Sequence, residues 1–244
     1  MTGRALFYSH LWISAFTLLI ANSASALLAT HQTRFVEVAS GIFALDPATR
    51  VSASGFDFFD EVIESESTLD GFTLGIGRAA QRSEILPDLI SAVGSVLTSG
   101  FSTGLGSARS DISVSFEIAQ PTAYLLSGSA FGMADASTLI SLRNSQGSVI
   151  HDVSSFNFGN GGSGGGFSFS GILPPDIYEI RGYSSSCSSE LQDFSCGFDS
   201  GDGTYSFSFK VIPEPSTALS IGFGLFLLSQ CFRPRRSVSL TAAT

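Results

Sequence analysis

Six carboxylates fall within fourteen residues: Asp57, Asp60, Glu61, Glu64, Glu66 and Asp70. Oxygen ligands at that density can hold calcium. Their spacing matches no calcium loop, so a solvated acidic loop stands beside that reading. Asp199 and Asp202, set among Gly201 and Gly203, form a weaker calcium candidate or a hairpin connection. No other metal and no cofactor is expected. His151 stands beside Asp152 on an expected strand, but no nucleophile-elbow motif accompanies any serine. Six glycines in residues 159–166 have the freedom of a phosphate cradle, yet the following Phe167-Ser168-Phe169 reads as a strand, where such a cradle needs a helix N-terminus. A flexible loop is expected there.

Cys187 and Cys196 lie in a serine-rich stretch. In an exported chain they are expected to form a disulfide, closing a short loop for about 2.7 kcal/mol in the chain-entropy model. Neither has a histidine or a second cysteine pair nearby, which argues against zinc.

The elements that must position these residues are strands. In 111–118, Ile112, Val114, Phe116 and Ile118 alternate with Asp111, Ser113, Ser115 and Glu117. In 204–211, Tyr205, Phe207, Phe209 and Val211 alternate with Ser206, Ser208 and Lys210. Period two with one apolar face means half-buried antiparallel strands. Further strands are expected at 124–130, 138–143, 148–153 and 177–183, with turns at 144–147, 174–176 and 199–203. Short strands at this spacing predict an all-β protein, an antiparallel β-sandwich of jelly-roll or Ig-like type. Residues 27–105 are less regular: 56–59 and 71–76 read as strands, and 83–97, interrupted by Pro87, as two strands in preference to a helix.

Both ends read as export and membrane segments. Arg4, the apolar run 11–21 and Ala24-Ser25-Ala26 predict a signal peptide over 1–26, cut after Ala26. At the other end Pro213-Glu214-Pro215 precedes an apolar run and Arg233, Arg235 and Arg236. As a helix, 216–233 would rise roughly 27 Å against a hydrocarbon core of about 30 Å, a short single span. The arginines would stay cytoplasmic, with the prolines extended at the outer surface. The expected organisation is therefore 1–26 signal peptide, 27–212 sandwich domain, 213–236 sorting and anchor segment, and 237–244 polar tail.

Signal peptide, Pro213-Glu214-Pro215 with Ser216-Thr217-Ala218, apolar stretch and arginine cluster together resemble a PEP-CTERM protein. The resemblance implies a Gram-negative host, processing by the membrane protease-transpeptidase exosortase, transient residence in the inner membrane, and a link to exopolysaccharide and biofilm at the cell surface. Residues 169–180 also look like the paired strands that precede the tail in this family, with Pro174-Pro175-Asp176 where Pro-Gly is usual. Residues 237–244 follow the arginines, where the family usually stops sooner.

Removing 1–26 and everything from Pro213 leaves eight basic and twenty acidic residues, a net charge of about −12. Such a domain repels nucleic acid. Trp12 leaves with the signal peptide, so the remaining chain has no tryptophan. Three functions follow in order: a non-catalytic structural or adhesive surface protein; a carbohydrate-binding module using Tyr124, Tyr178, Tyr183 or Tyr205; and a secreted hydrolase centred on His151.

Overall fold

The alternation read at 111–118 and 204–211 extends along the chain. In the computed structural model, residues 27–42, 44–101, 104–156, 163–189 and 200–212 are described, and every element they form is a strand. These are β1 (Leu28–Ile42), β2 (Thr49–Ser52), β3 (Phe59–Leu69), β4 (Phe72–Leu86), β5 (Leu89–Gly100) and β6 (Gly104–Ile118). They continue as β7 (Thr122–Met133), β8 (Ala136–Asn144), β9 (Val149–Phe156), β10 (Ser163–Leu173), β11 (Asp176–Ser189) and β12 (Gly201–Ile212). Among the described residues no helix is long and apolar enough to cross a membrane. The expected signal peptide with Ala24 and Ala26, the sorting segment with Pro213, Glu214, Pro215, Arg233, Arg235 and Arg236, and Cys196 and Asp199 lie outside the described residues.

Two six-stranded antiparallel sheets make a β-sandwich. Sheet A runs β2-β1-β6-β11-β8-β9 and sheet B runs β10-β7-β12-β5-β4-β3. Strands β5 to β12 pair as nested couples: β5 with β12, β6 with β11, β7 with β10, β8 with β9. A long hairpin rolled on itself gives this nesting, which is the path of a jelly roll. β1 and β2 widen sheet A beside β6, and β3 and β4 widen sheet B beside β5.

Several expected connections differ. Residues 169–173 and 177–180 are not paired with each other: β10 pairs with β7, whereas β11 pairs with β6 and β8. Pro174 and Pro175 carry the chain from one sheet to the other, so no hairpin forms there. The acidic run is no loop either. Asp60, Glu61, Glu64 and Glu66 belong to β3, the edge of sheet B, where carboxylates discourage pairing with another chain. Gly201 and Gly203, read as a turn, belong to β12; a Cβ on either would collide with Ser186 or Ser184 of the opposite sheet, so the close approach accounts for the glycines. Gly164, Gly165 and Gly166, read as loop, belong to β10.

The interior has two parts. One is aromatic and aliphatic: Phe116 packs on Phe209 at 4.9 Å and on Tyr178 at 5.8 Å between ring centres. The other is smaller, built from Val36, Val38, Phe59, Ala79, Val96 and Ala108. A polar seam also crosses the interior, in which Gln81 Nε2 donates to Asp111 O and to Tyr205 Oη, both at 3.0 Å.

Candidate functional site

His151 is the first residue to place, because catalysis was conceivable only there. β9 turns its ring inward, opposite the buried Leu142, and turns Asp152 to the other face beside Ser141. His151 and Asp152 therefore cannot act as one unit. The imidazole lies flat on Phe169, 4.1 Å away and 5° from parallel, and its Nε2 is 2.6 Å from Tyr124 Oη. This dyad packs β9 of sheet A against β7 and β10 of sheet B. Burial raises the Tyr124 pKa and lowers that of His151 below its usual 6.5.

The sign of the resulting pH dependence is fixed. A lowered folded pKa means the unfolded chain takes up the proton first on acidification. The contribution of His151 is fully present above about pH 6.5 and is lost as pH falls towards its lowered folded value. Urea midpoints are expected to drop between pH 7.5 and pH 5.5, and His151→Phe, which keeps the stack on Phe169, to flatten that drop. An unchanged pH slope in the variant would remove this assignment.

The tyrosines read as sugar platforms are mostly core. Tyr124, Tyr178 and Tyr205 are buried, because each falls on the inward face of its strand. Tyr183 faces outward from sheet A but is flanked by Arg109 and Arg181, at 5.2 and 5.1 Å from its ring centre. Both guanidiniums donate through Nη2 to Asp111 Oδ2 at 2.7 Å, and that hydrogen bond holds Arg181 above its usual pKa. Arg50 covers Phe35 at 3.6 Å. Glu37, Asp111 and Glu179 balance these three arginines, and the carboxylate of Asp111, expected in solvent, is buried beneath them. The centre of this face is thus occupied by its own side chains.

The outward face of sheet B is different. A groove of about 380 Å³ crosses β4, β5, β12 and β7, lined by residues that include Phe58, Arg82, Glu84, Ser91, Ser127 and Ser208. Register explains its chemistry. Ser91 pairs with Ser208, Ser208 with Ser127, and Ser127 with Ser168. Four hydroxyl-bearing residues therefore stand in one row across four strands, about 4.8 Å apart. In the next row Ser206 and Ser129 share a hydrogen bond of 2.9 Å. Glu84 ends the serine row, and Arg82 lies over the exposed ring of Phe58 at 5.2 Å. The groove thus offers a line of hydroxyls, one carboxylate, one guanidinium and an apolar ring. Its inventory suits hydrogen bonding to a polyhydroxylated chain.

The sequence places Ser206 and Ser208 on a polar strand face and Ser168 within a strand, without showing that they meet Ser91 and Ser127. The available signal was the repeated alternation of Phe and Ser at 167–170 and 206–209. Of the Asp199 and Asp202 calcium candidate, Asp202 lies within the described residues, on β12 opposite Leu97 and Met133. Among the described residues no three His, Cys, Asp or Glu side chains gather to hold a metal. Cys187 lies near the end of β11.

No protein-family model matches this chain, and no curated protein matches it. Among solved structures, the enzymatically active domain of bacteriophage CBA120 tailspike protein 4 is similar at 9% identity, over 63% of this chain and 19% of that one, with a TM-score of 0.26. TmCBM61, solved with β-1,4-galactotriose, is similar at 10% identity, over 66% of this chain and 90% of that one, at 0.24. A structure of infectious bursal disease virus Gx strain is similar at 10%, over 81% and 61%, at 0.26. The chain spans about a fifth of the tailspike chain and about three fifths of the viral one. TM-scores this low assign no family.

Proposed function

We propose that this chain is an exported, C-terminally processed, non-catalytic protein of the cell surface or extracellular matrix, whose sandwich adheres to exopolysaccharide. Export rests on the signal peptide read at 1–26. Passage through the inner membrane and processing by exosortase rest on Pro213-Glu214-Pro215 and Arg233, Arg235 and Arg236. The observation that carries adhesion is the serine row Ser91, Ser208, Ser127 and Ser168, the first three of which line an open groove. Hydroxyls on a rigid sheet can exchange hydrogen bonds with a glycan at little ordering cost. The exposed faces of Phe58 and Val93 supply the apolar contact that sugar rings prefer. A dedicated carbohydrate-binding module would use this groove and not the tyrosines.

The test is electrophoresis of the protein from its host in gels cast with the host's own exopolysaccharide. Retardation is expected, and Ser127→Glu, which places a charged side chain in the groove, is expected to weaken apparent affinity about tenfold, or 1.4 kcal/mol. Equal migration with and without polysaccharide would remove the adhesive reading. Intact mass of the same preparation reads the rest. A chain from Leu27 to the region of Pro213–Pro215, lighter by the two hydrogens of a Cys187–Cys196 bridge, is expected. A full-length tail retained in the inner membrane would make it an ordinary anchor.

A further inference from the structure

The two sheets have four edges, and three carry a device against pairing with another chain. β2 is only four residues long. β3 carries Asp60, Glu61, Glu64 and Glu66 and a register shift between Ser67 and Thr68. β9 carries Asp152 and a register shift opposite Leu142 and Arg143. Short length, charge and bulges are how edge strands avoid adding a neighbour.

β10 has none of these. Over Ser163–Leu173 it contains no charged residue and no proline, and it pairs with β7 in unbroken register from Ser163↔Gly132 to Leu173↔Thr122. Among the described residues nothing pairs with its other side. The side chains of Ser168, Ser170 and Ile172 are exposed, and Gly164, Gly165 and Gly166 bring none to obstruct an approaching backbone. An edge of this length leaves alternate backbone N–H and C=O groups directed outward, a ready template for strand addition.

We infer that β10 is a docking edge for a second copy of this chain, the two β10 strands pairing antiparallel about a two-fold axis. Three observations select this occupant. A strand paired with its own copy about a two-fold is antiparallel, which continues a sheet that is antiparallel throughout. The edge is uncharged, so self-pairing brings no like charges together, whereas a β3 edge would set carboxylates against carboxylates. The isologous contact also closes on itself. With the opposite edge of sheet B blocked by acid residues, growth stops at a twelve-stranded sheet shared by two chains. The inference stands apart from glycan adhesion, since it needs no ligand.

The experiment is light-scattering mass of the protein as recovered from its host, without polysaccharide, across a hundredfold range of concentration. A dimer is expected at the upper end. Ser168 is the midpoint of β10 and would oppose its own copy, so Ser168→Lys sets two ammonium groups face to face. That exposed substitution is expected to give the monomer mass with the melting temperature of the monomer unchanged. Val62→Lys, on the exposed face of β3, is expected to leave the dimer intact. A monomeric wild type at every concentration would overturn the inference. So would a dimer that survives Ser168→Lys, which would place the contact elsewhere, or one lost equally in Val62→Lys.

Discussion

Arg34→Met is expected to destabilise the sandwich by about 3 kcal/mol, lowering the urea midpoint by about 1.5 M for a slope of about 2 kcal/mol per molar. Arg34 is 1% exposed and, among the described residues, has no carboxylate partner within salt-bridge distance. Burial lowers its pKa, opposed by the charge of Asp57. Its guanidinium instead serves neutral acceptors. Nη2 donates to Gly55 O and, at 2.7 Å, to Asp57 O. Nη1 donates to Ser83 Oγ at 3.3 Å and Nε to Gln32 Oε1 at 2.9 Å. Gly55 and Asp57 belong to the segment that carries the chain from β2 in sheet A to β3 in sheet B. One side chain on β1 therefore ties that crossing down.

Methionine preserves the apolar stem but strips four acceptors of their donor, and each buried unpaired group costs about 1–3 kcal/mol. Part of this is recovered because the segment can turn its carbonyls to water. Arg34→Lys is expected to fall between wild type and Arg34→Met, since an ammonium is a compact point donor and cannot span the fork. Asp57→Ala is expected to cost no more than about 0.5 kcal/mol, because the contact is to a backbone carbonyl and the side chain is exposed. Faster proteolysis within 53–58 under native conditions should accompany Arg34→Met. A large loss in Asp57→Ala, or no change in Arg34→Met, would show that the clamp is not made this way.

How much of this was legible follows from how each strand uses its two faces. β6 and β12 were plain because Phe116 and Phe209 sit on one face and serines on the other. β4 was not, because its inward residues are Gly75, Gly77, Ala79, Gln81 and Ser83. The sheets approach closely there, and a close approach admits only small or hydrogen-bonded side chains, so the hydrophobic alternation disappears. β1 was hidden for the opposite reason: Val36 and Val38 face inward while Phe35 is buried on the outer face under Arg50 and Arg109. β3 looked like a loop because an edge strand selects charge. The signal overlooked was Asp70-Gly71, both with positive φ, 51° and 81°, the two-residue hairpin turn between β3 and β4. The serine row is a different case. Its four members stand at 91, 208, 127 and 168, and only the rolled path brings β5, β12, β7 and β10 side by side.

Gly182→Ala is expected to cost about 3 kcal/mol, at the upper end of overpacking by a single methyl group. Gly182 lies on the inward face of β11, between Ile180 and Ser184. A Cβ there would stand 2.7 Å from Tyr205 Cε2 and 2.8 Å from Phe207 Cε1. The Tyr205 ring cannot withdraw. On its other side lies Gly94 of β5, where a Cβ would collide with Cε1 and Cζ of the same ring. Its hydroxyl is held by Gln81 Nε2 at 3.0 Å and Ser110 Oγ at 3.2 Å, and burial drives the phenol pKa far above its usual value. Tyr205 thus fills a slot cut by two glycines from opposite sheets and is pinned at its far end. If that geometry sets the penalty, Tyr205→Leu should partly rescue Gly182→Ala, by 1 kcal/mol or more relative to additivity, although Tyr205→Leu alone leaves Gln81 Nε2 with one acceptor, Asp111 O, in place of two. Gly171→Ala is the control: the atoms nearest its Cβ belong to the Tyr124 ring, none nearer than 3.1 Å, at an exposed edge, and it should cost about 1 kcal/mol or less. Equal losses for the two glycines, with additive behaviour at Tyr205, would mean that the slot does not set the spacing of the sheets.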